Sequence, residues 1–323
     1  MGIAWGEGSE KANGGTEQMG RELEKRLDPA LLSEFQIFPS RVTTELDPTK
    51  IRVLWCHDTA GDPMYDHLKG DGWRKFHKLV FVSNWQMQAF IGRYGIPWSR
   101  CAVLQNAIEP LQLAKPWQEG ETVRLIYTST PHRGLNILYA AFQHLAEEDP
   151  DVTLDVYSSF GLYGWDQRDA EFQPLFDAID QHPKVTSHGS VSPEELRSAV
   201  EASHIFAYPS TWSETSCRCL IEAMSAGLTC VHSNLAALPE TAANWTMMYQ
   251  LNEDQGKHAF TFYQVLKSAL SRVRQGLTNE AVKSYADMVY GWDFRVKEWT
   301  GLLTSLLDEP REIIESPVFS YRS

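Results

Sequence analysis

Short runs rich in Val, Ile, Leu and Phe alternate along the chain with longer stretches of helical periodicity, and this alternation constrains the fold more than any other feature. It predicts strands near 2–5, 35–38, 51–56, 78–83 and 101–105, and helices near 15–27, 62–76 and 84–94. The stretch EPLQLAKPWQEG (109–120), with its prolines and glycine, interrupts the pattern and reads as a linker. The pattern then restarts with the strand VRLIYTS (123–129), the helix GLNILYAAFQHLAEE (134–148), the strand VTLDVYSS (152–159), a helix near 167–181 and the strand KVTSHGS (184–190). In SPEELRSAVEAS, Ser192, Pro193 and Glu195 form a capping-box start to a further helix. The strands HIFAYPS (204–210) and LTCVHSN (228–234) follow, and the last hundred residues read as mainly helical.

Strands that alternate with helices pair in parallel and bury both faces. The expected architecture is therefore α/β, with two Rossmann-like doubly wound domains facing each other across a cleft. The expected divisions are a short N-terminal domain over 1–113, a second domain over 114–290, and a helix and tail over 291–323 that return toward the first.

A chain of 323 residues, with 43% hydrophobic and 22% charged residues, supplies two cores of ordinary composition. Its net charge of −13 is uneven: residues 1–113 carry almost none of it. An acidic chain is unsuited to bulk nucleic acid, whose affinity rests on phosphate neutralisation. The first ten residues show neither a basic nor an apolar leader segment, and no apolar run reaches the roughly 18 residues of a membrane span. The five cysteines (56, 101, 217, 219 and 230) lack paired C-x-x-C spacing and read as reduced packing thiols, which fits the cytoplasm.

Ligands of open α/β sheets bind at the carboxyl ends of strands, where helix N-termini offer amides to anions. A dinucleotide fingerprint fails here, because Gly6-x-Gly8 is followed by Lys11 where a third glycine is needed, and no Walker A loop occurs. Gly14-Gly15, at the start of a helix, would let backbone approach a bulky ligand, although a surface turn has the same composition. Arg133-Gly134 stands at a helix start directly after a strand; its guanidinium fork suits phosphate oxygens, and a surface arginine is the alternative. Glu214 falls in a strand-to-helix loop and Glu222 more than a turn inside the helix that Gly227 ends. On one helix eight residues span roughly 12 Å, which suits two contact points on a ligand and is too far for a shared proton or metal; a loop acid at a helix N-terminus beside a solvated helix acid is the alternative.

The ordered set Gly14-Gly15, His57, SNWQ, NAIE, Arg133-Gly134, Glu214-x7-Glu222 and EAMSAG resembles the retaining family 4 glycosyltransferases of the GT-B fold. The most specific stretch is YPSTWSETSCRCLIEAMSAGLTCVHSNLAALPET (208–241). The resemblance implies a metal-independent hexosyltransferase that moves a sugar from a nucleotide diphosphate sugar to an acceptor hydroxyl. By this resemblance Glu214 and the amides of Ser216 and Cys217 hold the donor sugar, and Glu222 holds the ribose. Arg133, the amides at its helix start and Gly15 meet the diphosphate, and His57 approaches the reaction centre. The chain departs from the family where TST (128–130) replaces a Gly-Arg pair, where Arg133 replaces a lysine, and where Thr215-Ser216 replaces a glycine and an aromatic. Two rival classes are an epimerase of the same fold and a non-catalytic nucleotide-sugar-binding protein.

Two other motifs are read as structural. Asp149-Pro150-Asp151 imitates a metal-binding D-x-D but lies in a turn where these residues are ordinary. KGDGWRKFHK (69–78) could meet a membrane surface or an anionic acceptor; a solvated helix with a packed aromatic face is the preferred reading.

Overall fold

The structure, a computed structural model, describes residues 2–5 and 14–310. The tail expected beyond residue 310 lies outside the described residues. The chain divides into two compact units, one built on Gly15–Gln105 with the chain from Arg295 onward, the other on Asn106–Phe294.

The first unit opens with helices α1 (Gly15–Arg26) and α2 (Pro29–Leu32). Strands β1 (Phe35–Pro39), β2 (Ile51–Cys56), β3 (Lys78–Phe81) and β4 (Cys101–Val103) then form a parallel sheet in that order, with helix α3 (Asn84–Tyr94) between the last two. The expected strand at 2–5 joins this sheet as a bridge: Ala4 N–H donates to the Ile37 carbonyl at 2.7 Å, and Ile37 N–H donates to that of Gly2 at 2.9 Å. Every residue of β1 is buried, as a parallel strand covered on both faces requires. Helix α3 starts where predicted because Ser83 Oγ accepts from Gln86 N–H at 3.1 Å, and it ends at Gly95 in the left-handed region.

The second unit contains β5 (Val123–Thr128), α4 (Leu135–Glu148), β6 (Val152–Tyr157), α5 (Gln173–Asp180), β7 (Val185–Ser187) and α6 (Pro193–Glu201). It continues with β8 (Ile205–Tyr208), α7 (Arg218–Ser225), β9 (Thr229–Ser233), α8 (Leu238–Ala242), β10 (Met247–Tyr249), α9 (Gln255–Arg274) and α10 (Glu280–Tyr290). Helix α11 (Trp292–Leu307) opens in this unit and belongs to the first from Arg295 onward. The parallel sheet runs β10-β9-β8-β5-β6-β7, so the winding reverses between β5 and β8. In α4, Leu135, Leu138, Phe142 and Leu145 recur at helical spacing and are buried against the sheet, which is why this stretch folds as predicted.

Four expectations need adjustment. The helix expected over 62–76 is two 3-10 helices, Pro63–Leu68 and Gly72–Lys75; Gly70 and Asp71 both take left-handed backbone between them and break the run. Trp73 and Phe76 of this segment are buried, so its aromatics serve the core. The helix expected over 167–181 begins as a 3-10 helix, Asp166–Phe172, and becomes α-helical only at Gln173, where Pro174 fits the first turn. Strand β10 was not anticipated, since MMY is too short to show a period. The stretch 109–120 has no regular element but is tied down: Leu111 N–H donates to Ser225 Oγ at 2.9 Å, Ala114 N–H donates to the Ala226 carbonyl at 2.9 Å, and Lys283 Nζ donates to the Leu111 carbonyl.

Trp299 of α11 is fully buried, and its ring meets that of Trp55 edge-on with centroids 4.9 Å apart. Trp299→Ala is expected to destabilise the first unit by about 3–5 kcal/mol, read as a lower urea midpoint by circular dichroism. A loss under about 1 kcal/mol would place Trp299 outside the core.

Candidate active site

Because the winding reverses between β5 and β8, the loops leaving these two neighbouring strands emerge side by side at their carboxyl ends. The β5 loop carries Arg133 and the β8 loop carries Glu214. Gly134 brings them together: its φ is +102°, and a Cβ there would lie 2.1 Å from the Pro209 carbonyl oxygen at the end of β8. No residue with a side chain fits without moving one of the two loops.

Arg133 NH1 donates to Glu214 Oε1 at 2.9 Å, and the Tyr208 hydroxyl donates to the same oxygen at 2.6 Å. Glu214 is 6% exposed, and its Oε2 accepts no hydrogen bond among the described residues. Burial works against the charged guanidinium, but the Glu214 carboxylate together with Tyr208, Tyr163 and Cys219 outweighs it and holds the Arg133 pKa well above its ordinary value. Burial and the same carboxylate push the Tyr208 hydroxyl well up, so it stays a donor. Arg133 Nε is buried without a hydrogen-bond partner among the described residues, as are Thr130 Oγ1 in the β5 loop and Ser158 Oγ just past β6. Buried polar groups are normally satisfied, so these strand ends hold unused hydrogen-bonding capacity beside a paired charge.

Glu222 stands apart from that cluster. On α7 it accepts from Arg218 NH2 at 2.7 Å, an i,i+4 pair on a partly exposed face. Ser216 and Cys217 lead into α7, and no side chain caps its start. Nor does a side chain cap α4, which begins at Gly134. The first-turn amides of both helices therefore have no side-chain partner at the cap position, at the end where the dipole favours anions.

His57 and Gly15 belong to the first unit. His57 follows β2, 8% exposed; its N–H donates to Ser40 Oγ and to the Tyr65 hydroxyl, each at 3.2 Å, and its ring packs on Trp55. Burial lowers the His57 pKa to about 3, so the ring is neutral. Gly14 directly precedes α1 and is buried; Gly15 opens α1, and among the described residues nothing lies within 4 Å of where its Cβ would be, so none of them demands glycine there. Asp149 of the D-x-D imitation is held by Arg274 through two hydrogen bonds and accepts from Asp151 N–H at 3.0 Å, which is a turn.

Tyr208, Arg218 and His132 were missed from the sequence. Arg218 was readable, since it stands four residues before Glu222 on a predicted helix. Tyr208 was not, because it looked like one more core aromatic of a buried strand. His132 stacks on Phe160 at 5.1 Å and meets the exposed Trp212 edge-on, and burial together with Arg133 and Arg168 lowers its pKa to about 4.

Residues 122–260 match the family model described as glycosyl transferases group 1. This segment runs from β5 into α9 and contains Arg133, Glu214 and Glu222. One subunit of the human phosphatidylinositol N-acetylglucosaminyltransferase is 22% identical over 142 residues, 43% of this chain and 28% of that protein's length. A glycosyltransferase of Rickettsia africae superposes with a TM-score of 0.68 at 14% identity, over 92% of this chain and 82% of that one. Anabaena HepE in complex with UDP-glucose superposes with a TM-score of 0.64 at 15% identity, over 89% and 82%. These likenesses show the fold alone: α/β, of the GT-B type, with two Rossmann-like units. Among the described residues no helix is long and apolar enough to cross a membrane.

A buried neutral histidine gives stability a defined pH dependence. The folded pKa of His57 lies below that of an unfolded histidine, so its contribution is complete above pH about 6.5 and is lost as pH falls toward about 3. His57→Gln is expected to remove about 1.4 kcal/mol per pH unit from the slope of unfolding free energy between pH about 6 and 4. The check is urea unfolding across that range, and an unchanged slope would show that His57 is not buried neutral.

Proposed function

We propose that the protein transfers a sugar from a nucleoside diphosphate sugar to an acceptor hydroxyl, with retention of anomeric configuration and without a metal ion. The observation that carries this reading is the Arg133–Glu214 pair at the reversal point of the second sheet, inside the segment that matches the glycosyl transferase family. Arg133 spends one hydrogen bond on Glu214, and its remaining donors suit diphosphate oxygens. The pair also fixes the guanidinium before a ligand arrives, so charge leaving with the nucleoside diphosphate meets a preorganised cation. The uncapped starts of α4 and α7 add amides to the same end of the sheet.

Glu214 Oε1 is occupied by Arg133 and Tyr208, which leaves Oε2 to accept from sugar hydroxyls. Glu222 accepts from the ribose, and Arg218 orients its carboxylate for that contact. Ser216 and Cys217 contribute amides to the sugar. The nucleoside diphosphate departs, and the acceptor hydroxyl attacks from the same face. The protein acts in the cytoplasm, on an acceptor of undefined class.

Calorimetry with UDP, GDP, ADP and TDP, each against its free nucleoside, tests the phosphate assignment. For whichever nucleotide binds, Arg133→Ala should lose about 2 kcal/mol, roughly thirtyfold in affinity, while the nucleoside is little changed. Equal losses for both would remove Arg133 from the phosphate site, and no binding by any of the four would remove the reading itself.

The two glutamates should separate. Glu222→Ala is expected to weaken the nucleoside and the nucleoside diphosphate alike, because both carry the ribose. Glu214→Ala should leave nucleoside diphosphate binding nearly intact, since its proposed partner is the sugar, but should lower kcat through lost sugar positioning. Indistinguishable profiles would make both carboxylates structural.

Activity should survive EDTA. Loss of activity in EDTA with recovery on adding a divalent cation would overturn metal independence.

A further inference from the structure

The loop between Glu214 and Glu222 contains a feature that sugar transfer does not use. Cys217 and Cys219 flank Arg218 at the start of α7, and their sulfurs are 3.4 Å apart. Side chains two apart within a helix point away from each other. They meet here because Cys217 is the cap residue, with extended backbone (φ −83°, ψ 92°), and only Cys219 lies in the helix proper. A disulfide needs the sulfurs to close to about 2.05 Å, a movement of little more than one ångström that one cap residue can absorb.

Their surroundings assign the two thiols different parts. Cys219 is partly exposed and lies close enough to Arg133 and Tyr208 to interact electrostatically with both. Of the two sulfurs it is the one that an oxidant can reach from solvent. Cys217 is buried directly behind it, and burial pushes its thiol well up, so it waits as the resolving group. The other cysteines lack this setting: Cys56 and Cys230 are buried, and burial pushes the Cys101 thiol up to about 11.

We propose that Cys217 and Cys219 are a redox modification site whose disulfide, formed by a peroxide, reshapes the start of α7 and weakens the hold on a nucleoside diphosphate. The Cys219 thiolate attacks the peroxide, breaking its O–O bond to give a sulfenic acid and hydroxide. The Cys217 thiol then attacks the Cys219 sulfur and expels water as the S–S bond forms. In sum, two thiols are oxidised and one hydrogen peroxide is reduced to two waters. The new bond pulls on Cys217, whose amide stands at the proposed sugar site, and turns Arg218, the partner of Glu222. A dithiol reductant reverses it. The effect on affinity rests on the function proposed above; the disulfide and the local rearrangement do not.

Trypsin provides the test, because it cuts after Arg218, between the two cysteines. The reduced protein is treated with hydrogen peroxide, blocked with N-ethylmaleimide and digested without reductant. The disulfide should hold the fragments 198–218 and 219–257 together. Cys219→Ser should release them, which excludes Cys230 as the partner. In Cys217→Ser, dimedone should instead trap a sulfenic acid on Cys219. Hydrogen exchange over 211–225 should differ between oxidised and reduced protein, and UDP should bind at least about tenfold more weakly to the oxidised form, with dithiothreitol restoring it. Separate fragments, unchanged exchange, or equal UDP affinity in both forms would each overturn the proposal. If the reduced protein binds no UDP, GDP, ADP or TDP, the function reading fails, and the linkage and exchange results decide the redox site by themselves.

Discussion

The pairing of β5 with β8 is the constraint on which the second unit depends. All strands of its sheet are parallel, so every connection must cross back over the sheet, and the chain can add strands on both sides of β5 only by reversing once. That reversal leaves two loops adjacent with no crossover helix between them. The groups proposed to bind a ligand, Arg133 from one loop and Glu214 from the other, lie where this topology opens. The ion pair is thus a product of strand order, and it joins residues 81 positions apart.

An ion pair in this setting is a poor source of stability, since desolvating both charges offsets most of their attraction. Its value lies in orientation. The Tyr208 hydroxyl and the Arg133 guanidinium grip one carboxylate oxygen from two sides, and burial keeps water from replacing either. A site with its charges already fixed has little to reorganise when a charged ligand arrives. The same compactness places Cys219 beside the cation, so one cluster carries both the proposed phosphate contact and the proposed redox site.

Much of this was legible in the sequence, for reasons specific to each element. Runs such as IRVLWC and HIFAYPS are buried on both faces and announce a parallel strand wherever they occur. Helix α3 carries its own start and stop in Ser83 and Gly95. Arg133-Gly134 and the two glutamates were legible as candidates because a strand–loop–helix context surrounds each. What failed was governed by long-range structure. The 62–76 segment has a helical composition, but consecutive left-handed residues at Gly70 and Asp71 divide it, and β10 exists only because β9 offers it an edge. The Arg133–Glu214 contact and the meeting of the two cysteine sulfurs depend on backbone geometry that spacing does not encode.

Gly134 has a consequence for how the site tolerates change. The distance between its two loops is set by main chain against main chain, the α carbon of Gly134 against the Pro209 carbonyl. Main-chain atoms have no rotamers, so the width of this gap does not vary with side-chain entropy as a gap lined by leucines would. Position 133 could exchange one long cation for another and keep a charge in place. Position 134 has no such neighbour in sequence space, because every replacement adds an atom where a carbonyl oxygen already sits. Drift in this loop is therefore channelled: the charge can be renegotiated, while the spacing is inherited unchanged.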